Sequence, residues 1–239
     1  MNPRFTFAAL GCALALAPAA IAQDAIMALN PTVMVSTAGQ ISATEQLRRQ
    51  FGSNLRSRRA APPRAVTPAR LAFRPDPKVR NRIYARAVEQ MRRIDAASAA
   101  KLQKEFDSGL LQRASVSYLG RYGLSPNNLA DTTALYLASA WLATRGDAGD
   151  PSKGQMLGLR RQIAAAFLAN PTFATQSDEI KQEISETNLI QAGYVASLAN
   201  AAAANPSVRP QVRDSVSRGV MAMYAMDLRQ LNLTDQGLR

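Results

Sequence analysis

The sequence contains no histidine. Ser-His-Asp and Cys-His hydrolysis are therefore excluded, because the base that takes the nucleophile's proton is missing. The usual zinc centres, built on imidazole and thiolate, are excluded as well. So are Glu-x-x-His di-iron bundles and the commonest pH switch. Cysteine is nearly absent: Cys12 is the single one. No intrachain disulfide can form, and the chain must hold its core by packing alone. Acidic residues are scarce, 17 against 29 Lys and Arg, and the net charge of +12 directs attention to anionic partners. What remains for catalysis is carboxylate, lysine, tyrosine or serine chemistry.

Long apolar runs are confined to the start. Arg4 gives a short positive n-region, and Phe7 to Ala20 is almost uninterruptedly apolar. Ala20-Ile21-Ala22 is a small-x-small cleavage site, so residues 1–22 are expected to be a secretory signal peptide with Gln23 next. The run is too short to span a bilayer, which takes about 20 apolar residues. Ala9-Leu10-Gly11-Cys12 is a loose match to a lipidation site, with alanine where leucine is usual. The expectation is an exported periplasmic or secreted protein with no transmembrane segment after cleavage.

Residues 23–51 carry no strong signal. Residues 52–75 form a basic Pro/Arg-rich linker, with Arg56, Arg58, Arg59 and Arg64 around Pro62, Pro63 and Pro68. Prolines at that density prevent helix and central strand. The arginines are candidates for an anionic surface such as lipopolysaccharide, phospholipid headgroups or wall polymer; the plainer alternative is a solvated spacer. Nucleic acid is disfavoured, because Phe51 and Phe73 are too far apart to interleave aromatics with the charges.

From Asp76 the apolar period becomes 3.6. Asp76-Pro77 is a cap with proline at the first helical position, and Val79, Ile83, Ala87, Met91 and Ile94 share a face. This helix either runs through Leu102 and Phe106 to Gly109 or breaks near Ala97. Further helices are expected over 110–122, from Ser125-Pro126, from Asp150-Pro151, after Ser177-Asp178 and from Asn205-Pro206. The fold class is all-α over 76–239: a five- to six-helix bundle or orthogonal helical array. No run of alternating strand residues stands out.

Three local patterns occur together. They are Phe73-Arg74-Pro75-Asp76-Pro77-Lys78-Val79-Arg80, then Tyr122-Gly123-Leu124-Ser125-Pro126-Asn127-Asn128-Leu129-Ala130-Asp131 with Tyr136 and Trp141, and Leu231-Asn232-Leu233-Thr234-Asp235-Gln236-Gly237. On these the chain resembles DUF6683, a family of uncharacterised secreted bacterial proteins, over roughly residues 70–239. The resemblance implies export and a helical fold. It implies no activity.

Several clusters are candidates for chemistry. Asn128 and Asp131 have N-cap and N3 spacing, which is simple capping at about 1 kcal/mol. The functional version places Asn127, Asn128 and Asp131 at the rim of a ligand pocket floored by Tyr122, Tyr136 and Trp141; as isolated side chains those aromatics read as core. Glu179, Glu183 and Glu186 share a helix face and suit a hard cation or acid–base work, but with Lys181 and Gln182 beside them they read as a solvated face. Met221, Met223, Met226 and Tyr224 read as core filler. No catalytic residue, metal ligand or cofactor is assigned. The leading expectation is a non-enzymatic envelope protein that binds a protein or an anionic envelope component. The alternatives are a carboxylate-dependent wall-glycan hydrolase or lyase using Asp131 or Glu183, and a small-ligand carrier.

Overall fold

A computed structural model describes residues 68–169 and 175–239. The expected signal peptide, the 23–51 segment, most of the basic linker including Arg56, Arg58, Arg59 and Arg64, and Cys12 lie outside the described residues. Within them the architecture is all-α. The helices are α1 (Pro77–Arg92), α2 (Ala96–Asp107), α3 (Leu110–Gly120), α4 (Leu129–Thr144), α5 (Lys153–Leu168), α6 (Asp178–Ala204) and α7 (Arg209–Tyr224). A two-residue antiparallel pair follows, β1 (Leu233–Thr234) and β2 (Gly237–Leu238), in register Leu233 to Leu238.

Seven described helices exceed the expected five or six because the first takes the second of its two expected forms and breaks close to Ala97. Asp95 is extended (φ −150°), and its carboxylate accepts from the Ala97 and Ser98 amides. An aspartate that caps a new helix competes with continuation of the old one. The next break needs Gly109, whose φ of +67° favours glycine. The start of α5 is also corrected: Asp150-Pro151 does not open it. Ser152 is the cap, and Gln155 completes a capping box with it. Asn205 caps only a short 3-10 turn, Pro206–Val208, from which α7 continues.

Helices α4 and α6 form the centre. Every residue from Lys181 to Val195 of α6 is buried, and only Ser139 and Trp141 of α4 are partly exposed. A helix buried on all sides needs neighbours all round. Around this pair pack α7 on α4, α1 on α6, α5 on α4, and the hairpin on α5. Several of the central polar side chains are satisfied within the core. Tyr224 donates to Asn188 Oδ1 at 3.0 Å, and Asn188 Nδ2 donates to Thr133 Oγ1 at 2.9 Å, joining α7, α6 and α4.

The packed region reaches back past the expected start at Asp76. Leu71 is fully buried and Phe73 nearly so. Ala72 bridges antiparallel to Asn128, and the Phe73 amide donates to the Asn127 carbonyl at 3.1 Å. The first two patterns of the sequence are thus paired in space.

Candidate functional site

Asn128 caps α4 as expected: its Oδ1 accepts from the Ala130 and Asp131 amides at 3.0 and 3.4 Å. Asp131 does not close a capping box. Its Oδ2 accepts from the Ser125 amide at 3.0 Å, and its Oδ1 accepts from Arg160 Nε of α5 at 2.9 Å. Asp131 is 4% exposed. Burial raises its carboxyl above the usual range, while Arg160 and the Ser125 N–H oppose that rise. Asn127 is half-buried beside it, and its amide donates to Ser125 Oγ.

The three aromatics expected beneath this corner do not meet in one pocket. Tyr122 lies at the end of α3, against Tyr118 at 5.5 Å between ring centroids, and donates its hydroxyl to the Pro151 carbonyl. Tyr136 is in the core beside Tyr224. Trp141 lies under the chain that follows α7 and donates Nε1 to the Leu231 carbonyl at 2.8 Å. The spacing explains the separation. Tyr136 and Trp141 are five residues apart, about 140° around a helix, so they face different neighbours.

The glutamates of α6 overturn the solvated-face reading. Glu183 and Glu186 are each 3% exposed, because α1 covers them. Arg82 reaches both Glu179 and Glu183 at 2.6 Å, and Arg80 reaches Glu186 at 2.8 Å. Gln112 of α3 donates to the other Glu186 oxygen at 3.0 Å and to the Tyr84 hydroxyl at 2.6 Å. Burial, with Glu186 beside it, pushes the Tyr84 phenol far above its usual range. Beside this seam Gln182 accepts from the Asp76 amide and donates to the Asp76 carbonyl, at 2.7 and 2.9 Å. Charge alone could not show this, because the arginines lie about a hundred residues away in sequence. Among the described residues no three Asp or Glu side chains are grouped so as to hold a metal ion.

A small hollow lies between α3, α4, α6 and the 147–150 loop, with room of about 20 Å³, enough for a water or two. Tyr118 donates to Asp150 Oδ1 at 2.8 Å on its wall, and Arg121 pairs with Asp150 Oδ2 at 3.1 Å while lying over the Tyr118 ring. Burial raises the Tyr118 phenol strongly. The methionines are divided: Met223 and Met226 are core, while Met221 is 42% exposed.

A family model described only as a family of unknown function, DUF6683, matches residues 1–239. The chain belongs to DUF6683. No curated protein and no solved structure matches it. The match covers more of the chain than the three patterns did. In this DUF6683 member, two of those patterns form the Ala72–Asn128 joint and the third forms the hairpin on α5. No helix among the described residues is long and apolar enough to cross a membrane.

Arg160, Gln112 and Arg121 were not singled out from sequence, and Gln182, Tyr118 and Asp150 were read there in other roles. Each acts through a partner 29 or more positions away. Local spacing carries no signal for such pairs.

Proposed function

We propose that this protein is an exported helical binding protein of the cell envelope, and that its basic N-terminal arm holds it to anionic surfaces. The carrying observation is where the charges sit. The buried carboxylates Asp131, Glu183 and Glu186 are each neutralised by a partly exposed arginine, Arg160, Arg82 and Arg80 in turn. Lys78, Arg92, Arg93, Lys101 and Lys104 are exposed, and Arg56, Arg58, Arg59 and Arg64 add to the same sign. With those three acids neutralised and these bases exposed, the net charge of +12 favours an anionic partner.

The joint at Leu71–Asp76 supports the reading mechanically. An arm that carries a surface must pull against something. Here it would pull against a buried Leu71, the Phe73–Asn127 hydrogen bond and the Gln182 clamp. The glycan-hydrolase alternative gains nothing from the geometry, since Asp131 is held by Arg160 and the Ser125 amide, and Glu183 Oε1 by Arg82. The carrier alternative is not favoured by a hollow of water size.

Co-sedimentation with vesicles tests the reading. Vesicles with anionic headgroups should pellet the protein at low salt and release it in high salt, and neutral vesicles should not pellet it. Replacing Arg56, Arg58, Arg59 and Arg64 with glutamine should abolish pelleting and leave helical content unchanged. Pelleting that survives the replacement would overturn the role of the arm.

A further inference from the structure

Sulfur chemistry in residues 68–239 rests on methionine alone, because Cys12 is the single cysteine and lies outside them. No thiol stands there to consume an oxidant first. The methionines are sharply divided. Met91, Met156, Met223 and Met226 are core residues, none more than 4% exposed, whereas Met221 is 42% exposed. Helix geometry sets the division. Val212, Val216, Val220 and Met223 recur at three- and four-residue spacing and are the buried face of α7, which packs on α4 and α6. Met221 is two positions from Met223, about 200° around the helix, and so stands on the other side. Arg218, one turn back from it, is exposed as well.

A thioether reacts with an oxidant only as far as the oxidant can reach its sulfur. With a peroxide the step balances. A sulfur lone pair attacks one peroxide oxygen, the O–O bond breaks and an S–O bond forms. The sulfur loses two electrons and the peroxide gains them. The second oxygen leaves as hydroxide and takes the proton of the new S–OH, giving the sulfoxide and water. At Met221 the added polar oxygen stands in solvent and leaves the α7 seam untouched. At Met223 or Met226 it would be buried in the core, where a polar group without a partner is costly.

We propose that Met221 is the oxidant-reactive modification site of the folded domain: a peroxide converts it to the sulfoxide with the fold intact, and thiol-dependent methionine sulfoxide reductases restore it. Met223 and Met226 belong to a second stage, reached only when α7 leaves α4. The end of α7 thus carries a graded response to oxidant, reversible at the surface and destructive in the core.

The test treats the full chain with dilute hydrogen peroxide and follows its tryptic peptides by mass spectrometry over time. Fragment spectra of the peptide 219–229 separate Met221 from Met223 and Met226. Met221 should gain one oxygen at least about tenfold faster than Met91, Met156, Met223 or Met226. Helical content by circular dichroism should stay unchanged through that phase, and the two epimer-specific reductases together should remove the added oxygen. In denaturing urea the rates at these methionines should converge, which ties the difference to the fold. Met221→Leu should delete the fast step at the 219–229 peptide and leave the circular dichroism spectrum as it was. A folded chain in which Met156 or Met223 is oxidised as fast as Met221 would overturn the proposal. Helical content lost in step with oxidation of Met221, or a Met221 sulfoxide that the reductases leave in place, would do the same.

Discussion

The chain is tied down at two places by the same side chain in opposite surroundings. Gln182 of α6 grips both polar groups of the Asp76 main chain, and Gln162 of α5 grips both of Leu238. In each case a carboxamide supplies the donor and the acceptor that a neighbouring strand would otherwise offer. Around Gln182 stand Arg80, Arg82, Glu179, Glu183 and Glu186. Around Gln162 stand glycines and leucines, with the hairpin backbone against the helix. The front clamp closes by charge and the rear clamp by close approach. The first should tolerate small changes of shape but not loss of charge. The second should behave in the reverse way.

The sharpest way to break the comparison is Glu186→Leu. It removes the acceptor for Arg80 and Gln112 and leaves a partly buried arginine and a half-buried carboxamide without their partner. The expected loss is about 3 kcal/mol in urea unfolding. Gly158→Ala is next, at about 2 kcal/mol, because the new methyl group meets the Asp235 backbone. It should lower Tm by roughly 4–8 °C and redden Trp141 emission, whereas Glu186→Leu should leave that emission unchanged until global unfolding. Gln182→Ala and Gln162→Ala each strand a backbone donor and acceptor and should cost about 1–2 kcal/mol. Hydrogen exchange should assign the first loss to the Asp76 amide and the second to that of Leu238. Raising the salt to 1 M should weaken the front clamp alone, by about 0.5 kcal/mol, since Arg82–Glu179 is an exposed pair.

A pH series gives the smallest effect and a clear sign. Folding raises the Asp131 carboxyl, so its contribution is fullest below the unfolded pKa near 4 and declines as pH rises through the folded value. Asp227, beside Arg229, is lowered instead; its contribution is present above the unfolded pKa and is lost as pH falls through the folded one. Asp131→Asn should therefore remove a loss of stability on going from acid to neutral pH. Asp227→Asn should remove a gain. Urea midpoints compared between about pH 4 and pH 7 report Asp131, and those between about pH 2.5 and pH 4 report Asp227.

Much of the fold was legible before any coordinate. Asp76, Asn128 and Ser177 cap the helices expected of them, Gly123 ends α3 in the left-handed region, and the apolar period gave an all-α domain. The misreadings share one cause. A break near Ala97 was expected as one of two forms, but Asp95 and Ser152 were not named as the caps, because several polar residues near each helix start could serve and only the packed chain selects one. The α6 glutamates read as a solvated face because a charged stripe has the same appearance whether water or α1 lies against it. The aromatic pocket dissolved because Tyr122, Tyr136 and Trp141, though near in sequence, leave α3 and α4 in different directions.

By itself the sequence determined the helix class, most of the caps, the sign of the surface and the closure of histidine and thiol chemistry. These follow from local spacing, from composition and from the residue types present. The tertiary structure alone decided which carboxylates are buried and which arginines they hold. Those outcomes depend on which helix covers which face. A stripe of glutamates or a pair of glycines carries no record of its neighbour until the chain has packed.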